Sequence, residues 1–220
     1  MDTGTLIKML WEGLLQTMYM TLAGTFVAYI IGLPIGVSLI VTSSNGIKPI
    51  PIYNKIVGFI VNVVRSVPFL ILMIALMPYI RKVIGTGIGT GATTAALIVA
   101  AAPFVARMVE QSLLEVDPGV VEAAQAMGAS NMQIIRKVLI AESVPSLLNG
   151  GAVATITILG YSAMAGAIGG GGLGSIAIRY GLHRFQPAIM WITVVVLVIL
   201  VQLMQEIGIK IATKLDNRIN

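Results

Sequence analysis

Residues 185–205 read FQPAIMWITVVVLVILVQLMQ, twenty-one positions without a charge. The hydrocarbon core of a bilayer is about 30 Å thick, and roughly 20 apolar helical residues cross it. This stretch therefore reads as a membrane span, and the chain repeats the pattern outward from it. Runs free of Asp, Glu, Lys and Arg cover 13–47, 83–106 and 143–178. A further stretch, 57–77, is apolar except for Arg65, and its length suits a span with one buried or snorkelling charge. Composition agrees, with 57% hydrophobic residues, 10% charged residues and a mean hydropathy of +0.94. The expected fold is an all-α membrane protein, one transmembrane domain with five helices whose cores lie near 15–40, 57–77, 92–106, 147–168 and 187–207.

Other classes recede on the same numbers. Asp2, Lys8 and Glu12 precede the first long apolar run, unlike the basic leader of a signal peptide, so that run is expected to stay as a helix. Cysteine is absent, which excludes a disulfide framework and thiolate metal sites. The net charge of +5 comes without a basic cluster interleaved with aromatics, a pattern for a lipid bilayer surface rather than nucleic acid. His183 is the only histidine, so one chain assembles no two-histidine metal site.

Five spans put the termini on opposite sides, and the excess of Lys and Arg marks the cytoplasmic side. One set of loops holds Lys48, Lys55, Arg107, Arg136, Lys137, Lys210, Lys214 and Arg218, and the other holds Lys8, Arg81, Lys82, Arg179 and Arg184. The balance of eight to five favours an outside N-terminus and a cytoplasmic C-terminus. It also places the segment of about 110–145 in the cytoplasm.

Residues 111–150 read QSLLEVDPGVVEAAQAMGASNMQIIRKVLIAESVPSLLNG. Asp117 is a good N-cap, and Pro118 a good first helical residue because its missing amide hydrogen would be orphaned there anyway. Gly128 can take the left-handed conformation that ends helices. Ser130 with Gln133 three residues on forms a capping box for the next helix. Ala123, Ala124 and Gly128 carry little side chain, so the short helix between reads either as a docking knob oriented by Glu122 or as a solvated connector.

Glu122, Ala123 and Ala124, followed after three residues by Gly128, resemble the EAA signature of ABC importer permeases, and Val138 and Ile140 match its later hydrophobic positions. One position departs: Ala141 stands where that family usually has proline, and Pro145 supplies a helix breaker four residues later. RSVPFL at 65–70, AAPFVARMVE at 101–110, QIIRKVL at 133–139 and GYSAMAGAIGGGGLG at 160–174 extend the likeness to the permeases of methionine importers, over about 11–211.

That resemblance implies a type I ABC importer permease fold in a bacterial cell membrane and a homodimer lining the pathway. Two ATPase subunits carry ATP and Mg on the cytoplasmic side, and a substrate-binding lipoprotein lies outside. The chain itself would bind no cofactor and catalyse no reaction. The implied coupling residues are Pro118, Glu122, Ala123, Ala124, Met127, Gly128 and Ala129, and the implied cargo is methionine, L- and D-. The chain has no GxxxxGK[ST] phosphate loop and no Gly-Lys dipeptide at all, so nucleotide energy must come from another chain.

The remaining candidates line a pathway or gate: Arg65, Pro68, Phe69, Tyr161, Ser162 and Met164. Arg65 either lines the pathway at a helix broken by Pro68 or snorkels to the cytoplasmic interface. Gly166 to Gly174, with six glycines in nine positions, reads as a flexible outer loop, since no βαβ unit surrounds it. The competing functions are a permease for another amino acid or small substrate, and an ATP-independent secondary transporter. The latter commonly needs a carboxylate at mid-membrane, whereas Glu110, Glu142 and Glu206 sit at span ends.

Overall fold

A computed structural model describes residues 2–214, which are helical or in short connections with no strand among them. Arg218, counted above for orientation, lies outside the described residues. Helix α1 (Thr3–Thr42) buries Gly13, Thr17, Thr21, Gly24, Ala28, Gly32 and Gly36, a small residue at nearly every fourth position and so one flat face. Helix α4 (Thr90–Leu114) buries Ala92, Ala96, Ala102, Val105, Ala106 and Val109. A Cβ on Gly32 would lie 2.9 Å from Ala102 O, and one on Gly36 2.5 Å from Ala106 O. Helices surrounded by lipid gain nothing from the hydrophobic effect on pairing, so close backbone approach through small residues supplies the attraction. The other side of α1 exposes Trp11, Leu15, Tyr19, Phe26 and Ile30, as a lipid-facing surface should.

The span expected over 57–77 is built from two helices. Helix α2 (Pro51–Ser66) and helix α3 (Phe69–Ile84) meet at an angle of 106°. Pro68 explains the break: it offers no amide hydrogen and drives Val67 into an extended conformation, φ −79° and ψ 126°. Among the described residues four helical runs are long and apolar enough to cross a membrane, Thr3–Thr42, Thr90–Leu114, Asn131–Leu182 and Pro187–Lys214, and the bent pair makes a fifth if counted as one span.

Beyond α4 come the short helices α5 (Pro118–Ala126) and α6 (Asn131–Ile134). A wide π turn at Ile135–Leu139 joins α6 to α7 (Ile140–Ala165), which continues through Pro145. The break that Pro145 was expected to supply is absent, and the irregularity falls about two turns earlier, in the π turn. Helix α8 (Gly172–Ile176), a second π turn at Ala177–Leu182 and helix α9 (Pro187–Lys214) complete the chain.

The glycine-rich stretch is not a loose loop. Gly166, Gly170, Gly172 and Gly174 are buried, because α7 and α8 cross here backbone against backbone. A Cβ on Gly166 would meet Gly174 C at 2.3 Å, and one on Gly174 would meet Ala163 O at 2.2 Å. From α1, Gln16 Oε1 accepts the Gly172 amide at 2.8 Å and Thr17 Oγ1 accepts the Leu173 amide at 2.9 Å. These bonds satisfy donors that α8 would otherwise leave orphaned.

Candidate functional site

Helix α5 stands at the end of α4 as its local sequence dictates. Asp117 accepts the Gly119 amide at 2.8 Å, and Pro118 occupies the first turn. At the far end Gly128 adopts φ +79°. Its amide donates to Gln125 O at 2.9 Å, and the Ala129 amide donates to Ala124 O at 3.0 Å. This pair of bonds is the Schellman arrangement, which consumes the last free carbonyls of a helix. Both halves of the capping box form next: Ser130 N donates to Gln133 Oε1 at 2.8 Å, and Gln133 N to Ser130 Oγ at 3.4 Å. The direction of α5 is therefore fixed at both ends without a partner.

Two turns of α5 divide cleanly into faces. Val121 and Ala124, three residues apart, pack with Val116, Ile134 and Leu139. Pro118, Val120, Glu122, Ala123, Gln125, Ala126, Met127 and Gly128 are exposed. Ala124 thus corrects the reading that all the small residues open the helix to a partner, since only 6% of it is accessible and its smallness lets α5 lie against the chain's own core. Ala129 is half-buried beside it. Met127 is 81% exposed, a flexible thioether presented outward beside a short helix.

The platform beneath this surface has an anchor that the sequence did not reveal. Arg107 on α4 pairs with Glu110 and donates to Gly58 O at 3.2 Å and Asn62 Oδ1 at 2.9 Å, both on α2. Asn54 likewise donates from α2 to Leu39 O at 2.6 Å on α1. Arg107 counts in the sequence only as a loop charge; its role depends on which helix the chain folds back against it.

The pathway candidates separate into two groups. Arg65, Phe69 and Tyr161 border one cavity of about 220 Å³, and Pro68 creates the break beside it. The Phe69 and Tyr161 rings stack, with centroids 4.4 Å apart and planes within 4°. Ser162 does not join them. It is 1% exposed and donates to Leu159 O at 2.7 Å within its own helix. Met164 is 54% exposed and does not line that cavity. Among the described residues no group of three or more His, Asp or Glu is arranged to hold a metal ion.

Residues 32–207 match the family described as the inner membrane component of binding-protein-dependent transport systems. The chain belongs to that family. A probable D-methionine transport system permease protein MetI from Vibrio cholerae is 46% identical over 92% of this chain and 90% of its own length. The D-methionine transport system permease protein MetI from Escherichia coli is also 46% identical, over 72% of this chain and 74% of its own length. A chain solved in inward-facing conformations of the MetNI methionine ABC transporter superposes with a TM-score of 0.93 at 43% identity, covering 99% of this chain and all of that one. A chain of an amino acid ABC transporter reaches a TM-score of 0.73 at 22% identity, a likeness of fold. The broken α2–α3 pair, the exposed α5 and the glycine crossing are thus features of an inner membrane transport component.

Proposed function

We propose that this chain is the permease of a methionine ABC importer and that α5 docks a separate ATPase subunit. The observation carrying the proposal is the 46% identity to a MetI permease across nearly the whole of both chains. The exposed face of α5 supports the docking role, because a helix capped at both ends can transmit a push without first having to fold. In the assembly two copies of this chain form the pathway, two ATPase subunits bind ATP and Mg on the cytoplasmic side, and a binding protein delivers substrate from outside. Closure of the ATPase pair then drives α5, and through the Arg107 tie α2 and α4, between inward and outward openings.

Vesicles holding the complex with its ATPase and binding protein should accumulate labelled L- and D-methionine when supplied with ATP, in preference to polar amino acids. Strong uptake of a sugar or a metal ion instead would overturn the assignment. Topology has its own test, made simple by the absence of cysteine. With the N-terminus outside, Ala126→Cys should react with an impermeant maleimide only from the cytoplasmic side, and His183→Cys only from the external side. The reverse pattern would invert the orientation.

A further inference from the structure

Helices α1 and α9 each pack along α7 but scarcely against each other, and the valley left between them is a groove of about 560 Å³. Small residues make its floor. A Cβ on Gly208 would stand 2.5 Å from the Ala152 Cβ, so α9 lies close against α7, and Gly151 carries no side chain to fill the space beside it. Leu22 and Phe26 wall one side, Met204 and Ile207 the other, and Leu22, Phe26 and Ile207 are exposed. The hydroxyls along it are not offered to an occupant. Tyr29 donates to Leu147 O at 3.3 Å, Thr155 donates to Gly151 O at 2.7 Å, and Thr25 Oγ1 is itself buried. The groove therefore presents carbon.

Its place in the bilayer narrows what can fill it. The groove shares no lining residue with the Arg65 cavity, and α2, α3 and α4 contribute nothing to it, so it lies apart from the pathway candidates. It runs from Met18 to Tyr29 on α1, a rise of about 16 Å, close to half of a hydrocarbon core about 30 Å thick. On α9 it is confined to 204–211, near the end at Lys214, so the half in question is the leaflet on the C-terminal side. Lys210 and Lys214 each follow a lining residue, Ile207 and Ile211, by three positions, and residues so spaced are neighbours on a helix surface. Both lysines are exposed. Lys210 meets Glu206 at 3.3 Å in an exposed pair of little worth, and Lys214 has no ion pair among the described residues.

A carbon trough one leaflet deep that ends at two cations is complementary to a lipid with an anionic headgroup. An apolar groove does not hold water, and left unfilled it forfeits the dispersion contacts of its lining. Lysines at the membrane surface attract acidic headgroups. We infer that the groove between α1, α7 and α9 binds one acyl chain of an anionic phospholipid from the cytoplasmic leaflet, with the headgroup phosphate held by Lys210 and Lys214. The inference rests on reading the C-terminus as cytoplasmic, which the maleimide labelling of Ala126→Cys and His183→Cys tests by itself. A seated lipid would bridge α1 and α9 across the valley.

The test is photo-crosslinking of the purified complex of this chain with its ATPase, in detergent. The probe is phosphatidylglycerol with a diazirine in one acyl chain, and labelled peptides are mapped by mass spectrometry. Label should saturate and concentrate on 147–155 and 204–211. Unlabelled phosphatidylglycerol should displace it roughly thirtyfold better than phosphatidylcholine of the same chains, about fivefold for each lysine. Replacing both lysines, Lys210→Gln with Lys214→Gln, should bring the two lipids level. Gly151→Leu, whose Cβ meets Tyr29 no closer than 3.5 Å, should fill the groove and abolish the label in complex that still elutes as assembled particles. Label spread evenly along the exposed sides of α1 and α9 would mean ordinary boundary lipid. Equal displacement by the two lipids, or a preference that survives loss of both lysines, would mean that no headgroup is held. Each of these results overturns the site, and so does a disulfide between two copies carrying Ile207→Cys, which would show that the second copy covers the groove. ATP-driven methionine uptake by the same complex in vesicles reports on transport separately, so a groove that fails in a complex importing methionine fails alone.

Discussion

Two glycine-bearing turns in this chain look alike as sequence and differ in physics. Gly128 ends α5 with φ +79°, and nothing lies within 4 Å of where its Cβ would stand. Gly174 has an ordinary helical backbone, yet its Cβ would strike Ala163 O at 2.2 Å. Glycine serves backbone conformation at the first and close approach at the second. The first turn is consequently open on the outside, as the proposed docking role requires, and the second is closed by the chain itself. A surface that docks something must be rigid within and vacant without, and only the α5 turn meets both conditions.

The comparison breaks most decisively at Gly174. Gly174→Ala needs no change of φ but forces one backbone away from another, which no rotamer change can relieve. Overpacking of a core costs about 1–3 kcal/mol, and a backbone-to-backbone clash belongs at or above the top of that range. Assembled complex recovered from membranes should fall sharply, with a lower melting temperature in what remains. Near-normal yield and melting would mean that the α7–α8 crossing is looser than its geometry indicates.

At Gly128 the expected effect moves from folding to coupling. Gly128→Trp places a large side chain in open space at the cost of a left-handed backbone, about 1–2 kcal/mol. The complex should assemble, while ATP-driven methionine uptake falls by roughly tenfold, as loss of about 1.4 kcal/mol at a docking interface implies. Gly128→Asn, which tolerates that backbone, should retain most uptake. Normal coupled uptake by the tryptophan variant would show that α5 is a connector only.

What the sequence disclosed follows from the range of each cause. Spans and caps are local: the charge-free runs, Asp117 with Pro118, and Ser130 with Gln133 each act within a turn or two, so they were legible. The α2–α3 bend was half-legible, since Pro68 was visible as a breaker but the resulting angle depends on what α3 packs against. The glycine crossing and the Arg107 tie were not legible. Gly166 and Gly174 matter through each other across a reversal of chain, and Arg107 matters through Gly58 and Asn62, partners 49 and 45 residues away. Ala124 shows the limit within one helix, because a small residue looks the same in sequence whether it faces a partner or its own core.

The smallest expected effect isolates the rigidity half of the comparison. Asp117 caps α5 through a single bond to the Gly119 amide, and loss of an N-cap costs about 1 kcal/mol of helix stability. Because α5 has only nine residues and its inner face is limited to buried Ala124 and half-buried Val121, that loss should appear as local fraying and leave the spans intact. Asp117→Ala should speed amide hydrogen exchange in 117–121 by roughly fivefold, the factor that about 1 kcal/mol gives, while exchange in α1 and α4 stays unchanged. Asp117→Asn, an equally good cap, should restore protection. Uptake should decline modestly in the alanine variant and recover with asparagine, because a frayed helix transmits less of a push than a capped one. If exchange accelerates but uptake does not change, then the docked ATPase supplies the order that the caps were held to provide.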